Sequence, residues 1–366
     1  MSTPSTFLLQ LTTEKPALVS YVEHTNLLEI AEKYFNHVLT VLQFFGFALN
    51  VFHFLVLTRK ELRCNAVYRL MIGICFFDLI SQISTFLLWS PFLIRSPPPK
   101  EEECFLSFTY FDVMTQVYAG CVLDVTQRNS SWLALFMALF RTLSVMFPMS
   151  SIMQKLSKPR VAVWTILIVL VVSVLWTLEA YSRFVIKSYD KDTNCEGIIV
   201  PLNETRFSRV IPPESQEAHN HIVSIYGFLK ALPSLIDLIL AVLLIFELKK
   251  AKKRRLSIQK SDEGKTDNTT KLVLFMTICF FLLEVPNGFA HVVSGFTHDS
   301  KTIYSIMYYI QVFAEILPII NSSSHIFICF LMSSQYRETV RNLLGLSNLK
   351  VTVVKESGTH SHNGKV

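Results

Sequence analysis

An all-α membrane protein, built as a bundle of seven spanning helices, is the fold the sequence predicts. Three observations point to it. The 366 residues are 51% hydrophobic and only 17% charged, with 29 Phe and a mean hydropathy of +0.40, whereas soluble chains carry about 25% charged residues. Charge is lost from particular stretches long enough to cross a bilayer, which takes about 20 mostly apolar residues. The remaining Lys and Arg gather in alternate short loops, as they do on one side of a multi-pass protein.

Composition also excludes several classes. A disordered chain lacks this apolar content, and a soluble enzyme of this length could not hide so many continuous apolar runs. The net charge of +6 sits in short loops rather than in an interleaved patch, so no nucleic-acid partner is expected. Seven Cys without CxxC or Cys/His spacing indicate neither a disulfide scaffold nor a metal site. No Walker loop, GxGxxG, HExxH or GxSxG occurs, so neither a cofactor nor an enzymatic activity is expected. The apolar cluster Phe7 to Leu11 has no basic segment before it. The first spanning helix is therefore expected to direct insertion.

Six spans are plain: Tyr34 to Thr58, Val67 to Ile94, Val161 to Ile186, Ile222 to Leu248, Leu272 to Val293 and Ile303 to Met332. A seventh, Val113 to Phe147, carries Asp124, Gln127, Arg128, Asn129, Ser130 and Ser131 before an apolar stretch, Trp132 to Met146. It counts as a span because a helix lined by other helices tolerates polar residues that lipid does not.

Arg59, Lys60 and Arg63 follow the first span; Lys155, Lys158 and Arg160 follow the third; Lys249 to Arg255 holds six basic residues after the fifth. The opposite loops are longer and balanced by acids such as Glu101 to Glu103. The N-terminus is therefore expected outside and the tail inside, with the basic run against anionic membrane lipid. The chain divides into an outer N-terminus (1–33), a seven-helix domain (34–332), a short amphipathic helix on the inner side (333–346) and a disordered tail (347–366).

The outer side carries a glycosylation sequon, Asn203-Glu204-Thr205, in the loop between spans four and five. Sequons at Asn129, Asn268 and Asn321 fall in spans or the basic loop and read as chance matches. Cys104 and Cys195 lie on the oxidising side and could form one disulfide.

Gly46 and Asn50, Asp78 in Phe76-Phe77-Asp78-Leu79, Trp164, Pro233 and Pro286 fall in spans one, two, four, five and six in that order. In this they resemble the signature positions of rhodopsin-like G-protein-coupled receptors. The stretch Trp132 to Val145, followed by Pro148-Met149-Ser150, is similar to the nematode serpentine chemoreceptors of class W (Srw), which resemble FMRFamide-type peptide receptors. So are Glu284-Val285-Pro286, Asn321 to His325 and Met332 to Arg337. The resemblance covers about residues 35 to 340. It implies a plasma-membrane receptor, an extracellular peptide or small chemical ligand, a heterotrimeric G protein and arrestin-type regulation. Cys104 lies further before Arg141 than in rhodopsin-like receptors, which leaves Cys121 as an alternative partner for Cys195.

The chain departs from that pattern in places. Phe140 stands where an acid would precede Arg141; His325, Ile326 and Cys329 occupy the place of an Asn-Pro-x-x-Tyr motif, removing its Pro kink and Tyr switch; Glu284 replaces an aromatic toggle before Pro286.

Buried charge in a membrane needs a partner or a purpose. Asp124 and Arg128, four apart, share a helix face in the order that favours an ion pair. They lie about three to five turns outside Arg141, a depth that a ligand from outside reaches. Two readings stay open: a self-neutralising pair, or a ligand contact. Gln127 is adjacent but turned about 100° away. Glu284 and Glu315 add carboxylates suited to a guanidinium, and Tyr308, Tyr309 and Phe313 offer aromatic faces. Asn50 and Asp78 form a polar core that rearranges on activation, or else simple interhelical hydrogen bonds. The resemblance gives Arg141 the contact with the G protein and places Asn321 and His325 among the activation residues, with Pro233. Pro286 would be the hinge. Arg254-Arg255-Leu256-Ser257 reads as a basophilic kinase site at Ser257. Two rivals remain: a partner subunit that does not signal, and a seven-span transporter or channel.

Overall fold

The computed structural model describes residues 34–35, 37–63, 66–94, 109–147, 149–156, 158–189, 193–195, 198–200, 206–256, 281–282, 284–297 and 300–345. Long helices dominate: α1 (His37–Leu57), α2 (Ala66–Ile94), α3 (Tyr110–Met146), the short α4 (Ser151–Leu156), α5 (Pro159–Tyr181), α6 (Pro213–Leu256), α7 (284–296), α8 (Lys301–Ala314), α9 (Ile316–Met332) and α10 (Ser334–Leu343). Helices α1, α2, α3, α5, α6 and α7 are six of the seven spans, and α8 with α9 makes the last. Among the described residues, five stretches are long and apolar enough to cross a bilayer: 37–57, 66–89, 159–181, 213–247 and 306–331.

The polar third span is explained by its place in the bundle. Helix α3 packs against α2, α5 and α6, and its buried face mixes Thr126, Asn129 and Ser131 with Leu133 and Leu135. At its start, the Asp112 amide donates to the Thr109 hydroxyl (3.3 Å) while the Thr109 amide donates to the Asp112 carboxylate (2.8 Å). This reciprocal cap satisfies two otherwise orphaned donors. Helix α5 shows the opposite character. Trp164, Ile168, Val171, Val172, Leu175 and Leu178 stand exposed along it, a surface whose natural solvent is hydrocarbon.

Several boundaries differ from the sequence expectation, among them the end of α6 at Leu256 instead of Leu248, and three have a clear physical reason. Helix α5 ends at Tyr181 instead of Ile186, because the following segment turns into a strand. Strand β1 (Val185–Tyr189) pairs antiparallel with β4 (Arg206–Val210), and between them β2 (Thr193–Cys195) pairs with β3 (Ile198–Val200). Val185, Ile186 and Tyr189 are residue types that favour extended chain. Helix α6 begins at Pro213, well before Ile222. Its proline costs nothing at a first turn whose N–H groups are unpaired, and Glu214 suits the positive end of the helix.

The third difference lies in the last span, which breaks at Glu315. Pro318 is the cause. Its ring crowds the carbonyl four residues back, on Ala314, and it has no N–H to offer that carbonyl. The Pro of the Asn-Pro-x-x-Tyr position is absent as read, at Ile326, but the span is broken all the same, two turns before His325.

Two apolar clusters hold the end of the bundle that carries Arg141. Val56, Leu57, Leu62, Cys75, Cys329, Tyr336 and Val340 join α1, α2, α9 and α10. Leu70, Ile74, Phe77, Leu133, Ala162 and Val169 join α2, α3 and α5. Towards the hairpin end, α6 and α7 meet backbone to backbone. A Cβ on Gly227 would lie 2.5 Å from the Val292 nitrogen, and one on Gly288 would lie 2.9 Å from the Gly227 oxygen.

Candidate ligand cavity and polar core

A cavity of about 830 Å³ runs down the middle of the bundle. That is within the range of about 300–1,000 Å³ typical of small-molecule sites. Helices α2, α3, α5, α6, α7, α8 and α9 and strand β4 all contribute to its wall. Along α3 it extends from Gln116 to Ser131, roughly 22 Å at 1.5 Å per residue.

Asp124, Gln127, Arg128, Glu284 and Glu315 all line this space. Tyr309 does not. Its neighbour Tyr308 lines the cavity, and the two rings meet edge to face with centroids 5.4 Å apart. Phe313 instead packs edge to face on Phe35, with centroids 5.0 Å apart.

The self-neutralising ion pair of Asp124 and Arg128, one of the two open readings, is not formed. Asp124 accepts hydrogen bonds from the hydroxyls of Tyr181 (3.1 Å) and Tyr226 (3.2 Å). Arg128 donates to the Ser173 carbonyl (3.1 Å) and the Thr177 hydroxyl (3.0 Å), and its guanidinium stands 5.3 Å from the centre of the Tyr226 ring. Lys230 approaches the same ring at 5.8 Å and donates to the Gln127 side-chain oxygen (3.3 Å). Tertiary donors from α5 and α6 outcompete the i,i+4 neighbour, whose attraction on an isolated helix amounts to only about 0.2–0.5 kcal/mol. Glu315 accepts from the Trp89 indole (2.9 Å).

Below this layer, in the half of the bundle nearer Arg141, lies a polar core. Asp78 accepts a short hydrogen bond from Ser130 (2.5 Å). Asn50 donates to the Gly46 carbonyl (3.0 Å) and the Ser322 hydroxyl (3.2 Å), and Gln82 donates to the same hydroxyl (2.9 Å). Asp78, Gln82, Ser130, Asn321 and Ser322 also line the cavity, so the cavity floor and the polar core are one space.

At the far end, Arg141 is exposed on α3, and no ion pair engages it among the described residues. Around it, Tyr68 shares a hydrogen bond with Ser333 (2.6 Å), and His53 shares one with Tyr336 (2.8 Å). The Tyr336 side chain is fully buried, and that burial raises the phenol's pKa above its ordinary value. His325 is half-buried within electrostatic range of His53. Pro233 lies inside α6 and Pro286 inside α7.

Cys121 carries a free thiol, so its alternative bond to Cys195 is not made. Cys104, Asn203, Ser257 and the tail lie outside the described residues, as does the Cys195 side chain.

Sequence reasoning missed Lys230, Tyr226, Tyr181, Trp89 and Asn287. The signal for Lys230 was available. It is a single cation in the middle of an apolar span, the same feature that singled out Asp124 and Arg128. The tyrosines had no such mark, because an aromatic residue in a Phe-rich helix looks like packing until its hydroxyl finds a buried acid.

A protein-family model described as serpentine type 7TM GPCR chemoreceptor Srw matches residues 36–347. No curated protein matches the chain.

Proposed function

The chain belongs to the Srw family of serpentine, seven-helix G-protein-coupled chemoreceptors, a multi-pass membrane protein with a ligand and a G protein as its partners; from that premise we propose a signalling mechanism and an orientation. The protein lies in the plasma membrane with its N-terminus and hairpin end outside. It binds an extracellular peptide or other chemical cue in the central cavity, and it activates a heterotrimeric G protein through the face around Arg141. The observation that carries this reading is a cavity that gathers Asp124, Gln127 and Arg128 of α3, Glu284 of α7 and Glu315 of the last span.

The mechanism is a shift of populations: a ligand bound better by the form with its inner helix ends apart draws the receptor into that form. Pro286 supplies the hinge, since the missing N–H weakens α7 there. The basic run Lys249 to Arg255 and the Ser and Thr residues of the tail are the candidate sites for lipid, kinase and arrestin contacts. Phe140, in place of an acid beside Arg141, keeps a second reading in view, that of a partner subunit which binds ligand without signalling.

A G-protein dissociation assay on cells displaying the chain, screened with an amidated-peptide library and a chemical panel, separates the two. A response that Arg141→Ala abolishes supports the coupled receptor. Silence from a receptor shown to be at the surface, with ligand binding intact, supports the partner subunit.

A further inference from the structure

We propose that the cavity takes an elongated ligand cation first, with a terminal guanidinium or ammonium seated on the floor between Glu284 of α7 and Asp78 of α2. The inference rests on the cavity being the ligand site and goes further by assigning the head group and its seat.

Four acids line the cavity, and the structure separates them by what already occupies them. Asp124 is held by two tyrosine hydroxyls. Glu315 is held by the Trp89 indole. Glu284 is only 6% exposed and makes no hydrogen bond or ion pair among the described residues. Asp78 is 8% exposed, and its second oxygen, Oδ2, has no partner. The two carboxylates lie within electrostatic range of each other. Lys230 is the cation within range of Glu284, yet its ammonium is directed to Gln127 and the Tyr226 ring.

The rest of the floor has the same polarity. The side-chain oxygens of Gln82 and Asn287, residues 6% and 5% exposed, are also buried without partners. Unpaired buried acceptors are costly, and a charge-assisted donor relieves several at once. A planar guanidinium or an ammonium supplies several N–H donors in one group. The floor lies level with Ser130, which bonds Asp78, roughly 21 Å along α3 from Gln116 near the mouth. The head group must therefore sit at the end of an extended molecule. No aromatic side chain closes the floor at residue 284, so the ligand's charge would act directly on α7 two residues before Pro286.

The test uses purified receptor in lipid nanodiscs and a matched pair of probes, n-butylguanidinium and the uncharged n-butylurea of the same shape, with valerate as the anionic control. At millimolar concentration the guanidinium raises the thermal midpoint by several degrees and the other two do not. Glu284→Gln loses most of that rise. Asn287→Asp, which adds a carboxylate to the floor, enlarges it and decides the matter if Glu284→Gln fails to fold. Equal stabilisation by butylurea or valerate, no stabilisation by butylguanidinium, or a full rise retained in Glu284→Gln would each overturn the proposal. The readout is independent of coupling: a receptor that binds the cation but never releases a G protein would sink the signalling reading and leave this one standing.

Discussion

Tyr226 is the residue on which the middle of the cavity depends. Its hydroxyl donates to Asp124, while its ring faces both Arg128 and Lys230. The two roles separate by mutation. Tyr226→Phe removes only the donor and leaves a buried carboxylate one hydrogen bond short, at a cost of about 1.5–3 kcal/mol. Tyr226→Leu also removes the aromatic face, adding about 0.5–2 kcal/mol for each of two cations. Thermal midpoints of the purified variants should fall in the order wild type, Phe, Leu, and equal losses for Phe and Leu would show that the ring contacts contribute nothing. The charged residues of this layer were legible because charge in an apolar span stands out. Their partners were not. Whether Arg128 turns to Asp124 or to Ser173 is decided by which groups α5 and α6 bring within reach, and no spacing along α3 encodes that.

Helices are pinned to one another at places where side chains are absent. At Gly227 an added Cβ would meet backbone, the Val292 nitrogen at 2.5 Å and the Gly288 oxygen at 2.6 Å, neither of which can move without its helix. At Gly46 it would meet side-chain atoms only, with Ile319 at 3.0 Å and Ser323 at 3.1 Å. Gly227→Ala is therefore expected to force α6 and α7 apart and abolish surface expression, whereas Gly46→Ala should cost no more than about 1–3 kcal/mol, the usual cost of overpacking. Surface labelling of intact cells compares them directly, and normal display of Gly227→Ala would refute the backbone contact.

The break in the last span is a second property of elements. Pro318→Ala restores a donor to the Ala314 carbonyl, so amide exchange around residues 314–319 should slow; unchanged exchange would mean that something other than Pro318 breaks the helix. Apolar runs made the spans legible, since membrane length is a demand every spanning helix must meet. Their ends were harder. Val185 and Ile186 are as apolar in a strand as in a helix, so only the pairing with Arg209 and Val210 reveals which they are. Pro318 was equally visible in the sequence, but its effect falls on a carbonyl one turn away.

Across the whole molecule, contacts among the described residues tie the bundle together at both ends. At the Arg141 end, α1, α2, α9 and α10 are joined by the pairs His53 with Tyr336 and Tyr68 with Ser333, and by the Gln335 amide donating to the Glu61 carbonyl (2.9 Å). At the hairpin end, Gly227, Gly288 and Gly295 lock α6 to α7. On the reading proposed above, α7 pivots at Pro286, which lies between this lock and the cavity floor at Glu284. Linkage then fixes what each site must do to the other: if the G protein raises ligand affinity by some factor, typically about 5–150-fold, the ligand raises G-protein affinity by the same factor. On that reading Arg141 would touch only one of the two partners. Arg141→Ala should therefore leave the affinity of a screened ligand unchanged when no G protein is present, and remove most of the rise that added G protein produces in the wild-type receptor. Competition binding on membranes with and without purified G protein measures both quantities. A loss of affinity in the absence of G protein would show that Arg141 supports the cavity itself. A rise that survives the mutation would mean that the coupling surface lies elsewhere on this end of the bundle.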